Sequence, residues 1–513
     1  MTDSVRSASD RDRVVVVGAG LGGLAAAIRL ACAGRAVTLL EREDVPGGRA
    51  GRLQRDGFSF DTGPSVLTMP HLVAELFELA GERMDDHLQL ERLDPAYRAQ
   101  FHDGSQLLVR GSVDAMRDEV ASVCGVAEAD RFVRFAEHLR RLYEAEYDHF
   151  IDTNFDSVRQ LARPLVMARL LRLGGFRRLH RLVAAHLRDW RLIRLFTFQA
   201  MYAGMSPYEA LGVYAVIAYM DTVAGVYFPA GGIFSVSRAL ADLAVRCGVD
   251  LQLGTAVERV EIAGGRATGV RTAAGEVVPA GHVVLNPDLP IAYEELLGPR
   301  YTPRRIARLR YSPSCVVVHL GLSGPLKDAA HHNIHFAAGY RASFDDLLAG
   351  RLQRDPSWFL TVPTIGDPGM APDGGTVGFY LLPAPNLQGD AIDWAAQGER
   401  ELTAALHRLA QAGYGEPDVV TSAVVTPADW RGMGMAAGTP FAASHHFNQT
   451  GPFRPRNVAR SVDGVVFTGS GTVPGVGVPM VLVSGKLAAQ RVLDAGQIPT
   501  RRRPAAALTR PRP

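Results

Sequence analysis

Four consecutive valines, Val14 to Val17, run directly into GAGLGG, and no other stretch limits the fold so tightly. An unbroken apolar run of this length reads as a parallel strand buried on both faces. Gly18, Gly20 and Gly23 follow in GxGxxG spacing, and an apolar helical segment, Leu24 to Cys32, comes next. Gly18 suits a tight turn, Gly20 the close approach of a pyrophosphate, and Gly23 the packing of helix on strand. A helix that starts there offers unpaired N–H groups and a positive dipole end to phosphates. A second strand, Ala36 to Leu40, ends in Glu41. A carboxylate at that point accepts hydrogen bonds from an adenosine ribose and repels a 2′-phosphate. The order strand, glycine turn, helix, strand, acid predicts a nucleotide-binding α/β unit.

The residues that follow favour FAD over NAD. Arg42 is succeeded by PGGRA, Pro46 to Ala50, and then by DTGPS, Asp61 to Ser65. Two further glycine turns extend the backbone surface along a long cofactor, and Arg49 can bring charge to its pyrophosphate. Near the other end of the chain stands VVFTGSGTVPGVGVPMVLVSGK, Val465 to Lys486. It is apolar enough for a membrane span or a core helix, yet Gly469, Gly471, Pro474, Gly475, Gly477 and Pro479 would break a helix. Its pattern predicts a strand, Gly464 to Thr468, a loop that some group approaches closely, and a last helix from about Met480 to Ala495.

A chain of 513 residues exceeds a single core, so two or three domains are expected. Lys plus Arg exceed Asp plus Glu by only two, which argues against a nucleic-acid partner. Cys32, Cys124, Cys247 and Cys315 form no CxxC and are expected as buried free thiols in a reducing compartment. The first residues lack the layout of a signal peptide, and no apolar window reaches eighteen residues. The nearest candidate, Ala210 to Met220, stops at Asp221 and reads as a buried helix. A cytoplasmic protein is the expectation. His331, His332, His335, His445 and His446 lack a regularly spaced carboxylate, so no metal is expected.

Charge is concentrated in one place. Arg159 to Arg194 contains ten arginines and a single acid, Asp189, with apolar residues at roughly helical spacing. A solvated lid helix, a nucleic-acid site and a basic amphipathic helix on an anionic membrane are the three readings; the last fits the one-sided charge best. The Pro- and Arg-rich tail, 498–513, is expected to be disordered.

The motif GAGLGGLAAAIRLACAG followed by ER and PGGR resembles the FAD fingerprint of the amine-oxidase and phytoene-desaturase superfamily. GVYFPAGG (Gly225 to Gly232), FNQTGPFRPRN (Phe447 to Asn457) and the glycine-rich C-terminal stretch are similar to segments of bacterial-type phytoene desaturases. Leu285, Asn286, Pro287 and Asp288 stand where such desaturases often have Ser-Asn-Ala-Asp, and Val473 and Val478 where His and Ile are common.

The resemblance implies a discontinuous Rossmann-like FAD domain (1–85, 231–290 and 456–497), a mixed α+β substrate domain (86–150 and 291–455) and a helical lid (151–230). It also implies FAD held by Gly18, Ala19, Gly20, Gly22, Gly23, Glu41, Arg42, Gly48, Arg49, Gly63, Pro64, Ser65, Val257, Gly469, Gly471, Val478, Pro479 and Met480. The implied activity is stepwise desaturation of phytoene towards lycopene by hydride transfer to flavin N5. Met201, Tyr202, Tyr208, Tyr214, Tyr219, Met220, Tyr227 and Phe228 are candidate channel liners, and Asp221, Glu209 or water candidate proton acceptors. With no second dinucleotide fingerprint, a quinone or oxygen is expected to take the electrons, at the inner face of the cell membrane. A sister polyene oxidoreductase, an amine oxidase and a non-catalytic lipid carrier are the alternatives.

Overall fold

The computed structural model describes residues 12–156 and 164–495. The start of the arginine run, including Arg159 and Arg163, and the basic tail lie outside the described residues. Val14–Val17 forms β1, with all four side chains buried. It is the centre of a five-stranded parallel sheet with β2 (Val37–Leu40), β3 (Asp250–Gln252), β4 (His282–Leu285) and β5 (Val465–Phe467), in the order β5-β4-β1-β2-β3. The valines divide between two cores. Val14 and Val16 join the cluster around the helix Leu21–Cys32 (α1), while Val15 and Val17 join one built on Val260, Val270, Val283 and Leu285. Both faces of the sheet are therefore covered, as an unbroken apolar strand requires.

The neighbouring stretches Asp250–Gln252 and Val257–Ala263 do not pair with each other. Asp250–Gln252 joins the parallel sheet beside β2. Val257–Ala263 instead forms a hairpin with Arg266–Thr272, in a separate antiparallel sheet completed by Val277–Pro279. Sequence proximity favours a hairpin, but three residue pairs along β2 make Asp250–Gln252 the edge strand of the parallel sheet instead.

A seven-stranded mixed sheet forms the second layer system. It runs in the order Val419–Val425, Ser314–Leu322, Thr376–Ala384, Trp358–Thr361, His332–Phe336, Tyr97–Phe101 and Gln106–Val109. Helices cover the space beyond it, including Val126–Glu146, Pro164–Arg172, Leu179–His186 and Trp190–Leu195. The arginine run is thus several short helices rather than one long one. Gly174 and Gly175 interrupt it, and its far end is tied into the protein: Arg191 pairs with Asp189 at 2.7 Å, and Arg194 donates to the carbonyl of Ala337 at 2.8 Å.

The helix expected over Ala210 to Met220 is likewise broken into a 3₁₀ turn, a helix of four residues (Ala215–Ala218) and a π-helical turn, Tyr219–Val223. Its first amides bond across to Arg177 and Gly175 rather than along the segment. The cysteines are free, but only Cys315 is buried. Cys32 and Cys247 sit at the ends of α1 and of the helix Phe234–Arg246 (α2), where neighbouring helices reach the surface, with their sulfurs 3.6 Å apart.

The last helix, α3 (Val478–Ala495), lies against α1. The approach is at backbone distance: a Cβ on Gly485 would stand 2.6 Å from the carbonyl oxygen of Gly22 and 2.7 Å from Ala25 Cβ. Because the obstacle is partly backbone, no rotamer change relieves it. Gly485→Val is expected to cost about 1–3 kcal/mol and to lower flavin content together with the unfolding midpoint in urea. A variant with unchanged midpoint and flavin would contradict this account of the helix contact.

Candidate active site

One cavity of ≈ 1030 Å³ runs through the junction of the two sheets and the helical region. At one end its wall is mostly backbone and short polar side chains; at the other it is aromatic and aliphatic.

The polar end is built from three glycine loops. The first leaves β1 and enters α1, whose N-cap is Gly20, with no side chain capping the first turn. Its leading amides are left for a ligand, as at other phosphate-binding helix starts. The second loop docks on it through the Gly47 N–H to the Ala19 carbonyl at 2.8 Å. The third follows β5, and Gly469, Ser470, Gly475 and Gly477 face the same cavity. Asn286, just past the end of β4, is the pin between them. Its amide donates to the Gly18 carbonyl at 3.2 Å, and a Cβ added to Gly20 would lie 2.7 Å from that amide nitrogen. A residue directly after a parallel strand is the place where α/β sheets bind ligands.

Glu41 is buried on the cavity wall. Its two oxygens accept the N–H groups of Ala19 at 2.6 Å and Glu43 at 3.0 Å. It therefore fastens the first loop to the end of β2, and its remaining lone pairs can still take ribose hydroxyls. Arg49 joins the second loop to the third through Ser470 Oγ at 2.8 Å, with Asp288 at 3.9 Å. The Thr468 hydroxyl is buried beside Gly22 without a hydrogen-bond partner among the described residues.

Most of the expected cofactor residues line the cavity: Gly18, Gly20, Gly22, Glu41, Arg42, Gly48, Arg49, Gly63, Pro64, Ser65, Val257, Gly469, Val478, Pro479 and Met480. Three do not. Ala19 spends its N–H on Glu41. Gly23 is pressed under the Gly18 carbonyl, and Gly471 is turned inward against Leu289. These three shape the loops from behind. Uncapped amides, a cradle closed to any Cβ and an acid at the end of β2 together fit a dinucleotide such as FAD.

Sequence reasoning missed Arg454, which is 1 % exposed. Its guanidinium reaches the carbonyls of Thr472 at 2.8 Å and Ser470 at 2.6 Å, and those of Ala443 and Gln449 at 3.4 Å. Burial lowers its pKa only to about 10, so it stays a cation at neutral pH. A charge that satisfies four backbone carbonyls holds the third loop in shape. The only signal was its place in the FNQTGPFRPRN segment. The third loop carries no histidine of its own, but His445 packs against its Gly475 and bonds the Ala203 carbonyl at 3.1 Å. Burial keeps its pKa well below the usual histidine range, so it is neutral.

The apolar end is lined by Phe198, Met201, Tyr202, Tyr214, Val216, Ile217, Met220, Phe336, Tyr340 and Phe359, among others. Of the expected liners, Met201, Tyr202, Tyr214 and Met220 are here, whereas Tyr208 packs on His180, Tyr219 on Tyr143, and Tyr227 and Phe228 lie in a strand paired with Leu90–Arg92. The histidines are dispersed among separate packing roles. His335 stacks on Trp358 at 3.6 Å, and His332 bridges the carbonyls of Ala96 and Ser65. Among the described residues no group of three His, Cys, Asp or Glu side chains is placed to hold a metal.

Known proteins resemble this chain over nearly its whole length. The family model described as flavin containing amine oxidoreductase matches residues 21–493. A phytoene dehydrogenase of Streptomyces griseus is 52% identical over 94% of this chain and 95% of its own length. A zeta-carotene-forming phytoene desaturase of Myxococcus xanthus is 39% identical over 94% of each chain. In three dimensions the chain is similar to an oxidoreductase from Methanosarcina mazei, with a TM-score of 0.61 at 17% identity, over 93% of this chain and 100% of that one.

Arg454→Met keeps the volume but leaves four carbonyls unsatisfied, which should cost about 3 kcal/mol or more. The measurable outcome is a lower urea midpoint and loss of the yellow flavin absorbance on gel filtration. Retention of both would show that the third loop holds its shape without the guanidinium.

Proposed function

The chain belongs to the flavin-containing amine oxidoreductase family, and from that premise we propose that it is an FAD-dependent desaturase acting on phytoene, an acyclic isoprenoid hydrocarbon, in carotenoid synthesis. The single observation that carries this reading is the division of one cavity into a backbone-lined cofactor cradle and an aromatic, aliphatic bore. Bound flavin supplies the hydride acceptor that no amino-acid side chain can provide.

The protein's own contribution is to hold, orient and dry the substrate. A hydrocarbon offers no hydrogen bonds, so binding comes from apolar area, at about 25 cal/mol per Å². Several hundred Å² buried against Phe198, Ile217, Phe336, Phe359 and their neighbours would contribute roughly 10 kcal/mol before ordering costs. Pro474, Val476, Val478 and Met480 give the third loop an apolar rim where the bore meets the cradle. The N-terminus of α3 opens on the same point and places the positive end of its dipole there.

No helix among the described residues is long and apolar enough to cross a membrane. We propose that the protein works on the surface of one. Met167, Leu170 and Phe176 line the bore, and beside them Leu165 is 85% and Leu171 63% exposed. Arg169, Arg172, Arg177 and Arg178 are exposed around the same patch. Apolar residues ringed by arginines suit an anionic lipid surface, each cation adding about 1 kcal/mol. A bore opening into that patch would draw a hydrocarbon directly from the bilayer. A membrane quinone, or oxygen, is the proposed electron acceptor.

Production of the protein in a colourless host that makes phytoene should convert phytoene to more unsaturated, coloured carotenes. Unchanged phytoene in cells containing folded yellow protein would overturn the reading. Flotation with anionic vesicles carrying a quinone checks the rest: the wild type should float and be reoxidised there, and Leu171→Glu with Phe176→Glu should not float. Equal flotation of both, or reoxidation by NAD⁺ alone, would count against the membrane site and the acceptor.

A further inference from the structure

Removing two hydrogens from adjacent carbons requires a place for the proton as well as for the hydride. Several carboxyl groups reach the cavity wall, and their surroundings separate them. Glu41 and Asp288 have both oxygens committed to backbone N–H groups. Glu43 and Glu295 are exposed, and Glu43 pairs with Arg42 at 2.9 Å. Glu209 does not line the cavity and is half exposed beside His446. Within the apolar bore two remain, Glu146 and Asp221. Among the described residues Glu146 has no partner on Oε1, and burial drives its pKa well above the carboxylate range, which disfavours its ionised form.

Asp221 differs from all of these. It is 2% exposed, and its Oδ1 accepts the Tyr97 hydroxyl at 2.6 Å. Its Oδ2 makes no hydrogen bond among the described residues. The residue sits in the π-helical turn Tyr219–Val223, a local widening of the backbone often found at functional sites. It also lies where bore and cradle meet. Ser65, on the second glycine turn, has its carbonyl bonded by His332 at 3.0 Å; the His332 ring packs on Tyr97 with centroids 5.4 Å apart; and Tyr97 holds Asp221. Tyr97 and Tyr202 are the titratable groups facing it, both uncharged because burial raises their pKa values far above ten, and it forms no ion pair.

We propose that Asp221 is the proton acceptor of the desaturation, a catalytic residue whose free oxygen Oδ2 takes the proton from the carbon next to the hydride donor. The assignment rests on the desaturase reading above. One carbon gives up a hydride, and with it two electrons, to flavin. The adjacent C–H bond breaks, its electron pair becomes the new C=C bond, and its proton ends on Oδ2. Burial pushes the Asp221 carboxyl up to about 7, with the Tyr97 hydrogen bond and the nearby Gln199 amide opposing, so an ionised base is available near neutrality without a cation to quench it.

Holoenzyme mixed anaerobically with phytoene in vesicles gives the test. In the wild type the rate of flavin reduction should rise with pH through about 7 and then level off, since the ionised form is the active one. Asp221→Asn should keep its flavin, slow reduction by about 10²- to 10⁴-fold and lose the pH dependence. Tyr97→Phe removes the donor that stabilises the carboxylate, so its limb should move to higher pH. That variant decides the matter if the Asn protein fails to fold, because an unmoved limb would overturn the assignment. An infrared carboxyl band titrating near 7 should be present in the folded wild type and missing from Asp221→Asn; a band that still titrates near 7 in the variant also overturns the assignment, whereas a buried carboxyl signal from Glu146 is expected in both. Wild-type protein that phytoene never reduces defeats the desaturase reading itself, whereas a fully active Asn variant defeats only the role of Asp221.

Discussion

The contact between α1 and α3 is the constraint on which the site depends. Gly485 allows the last helix to approach the first at backbone distance, over Gly22 and Ala25. That approach sets the third glycine loop beside the first, although the two are separated by most of the chain. The loops touch Asn286 from both sides: Cβ atoms on Gly22 and on Gly469 would each lie 3.0 Å from its side-chain oxygen. Their separation is thus fixed by one amide side chain and by the missing side chains of several glycines. Larger residues at these positions would widen the cradle, and amides that must approach a cofactor closely would lose their reach.

A second layer of polar contacts stiffens what the helix contact brings together. Arg49 links the second loop to the third, and Glu41 ties the first loop to the end of β2. Arg454 anchors the third loop from inside the protein. Each is an ionised group bonded to backbone or hydroxyl partners, which gives stronger and better oriented bonds than neutral pairs. The cradle is therefore made rigid by charges that face the loops rather than a substrate. The bore beyond it is nearly free of charge, and its two acids are both perturbed by burial. One lies in apolar surroundings that push its carboxyl well above the usual range; the other has the Tyr97 hydroxyl as donor and titrates near physiological pH. Two carboxyls in one apolar space thus differ in how far neighbouring donors offset burial.

Much of this protein was legible in its residues. The four valines, GAGLGG and Glu41 determined a nucleotide-binding strand, helix and strand, because their pattern records contacts between neighbours in the chain. The breaker-rich segment from Gly469 to Pro479 was recognisable as a binding loop for the same reason. Tertiary structure alone decided how the loops meet. Asn286 stood as the matching residue between two departures from a family pattern, Leu285 and Pro287, and proved to be the pin, and Gly485 carried no local signal, since its purpose lies in the carbonyl of Gly22. The arginine run and Ala210 to Met220 had helical periodicity, yet contacts across Gly174, Gly175 and Arg177 broke both into short pieces. Asp221 showed itself in the sequence only as the end of an apolar run. Its burial, its bond to Tyr97 and its free oxygen arise between segments far apart in the chain. Periodicity reports which face a residue turns inward; the partner waiting there is set by packing between distant backbones.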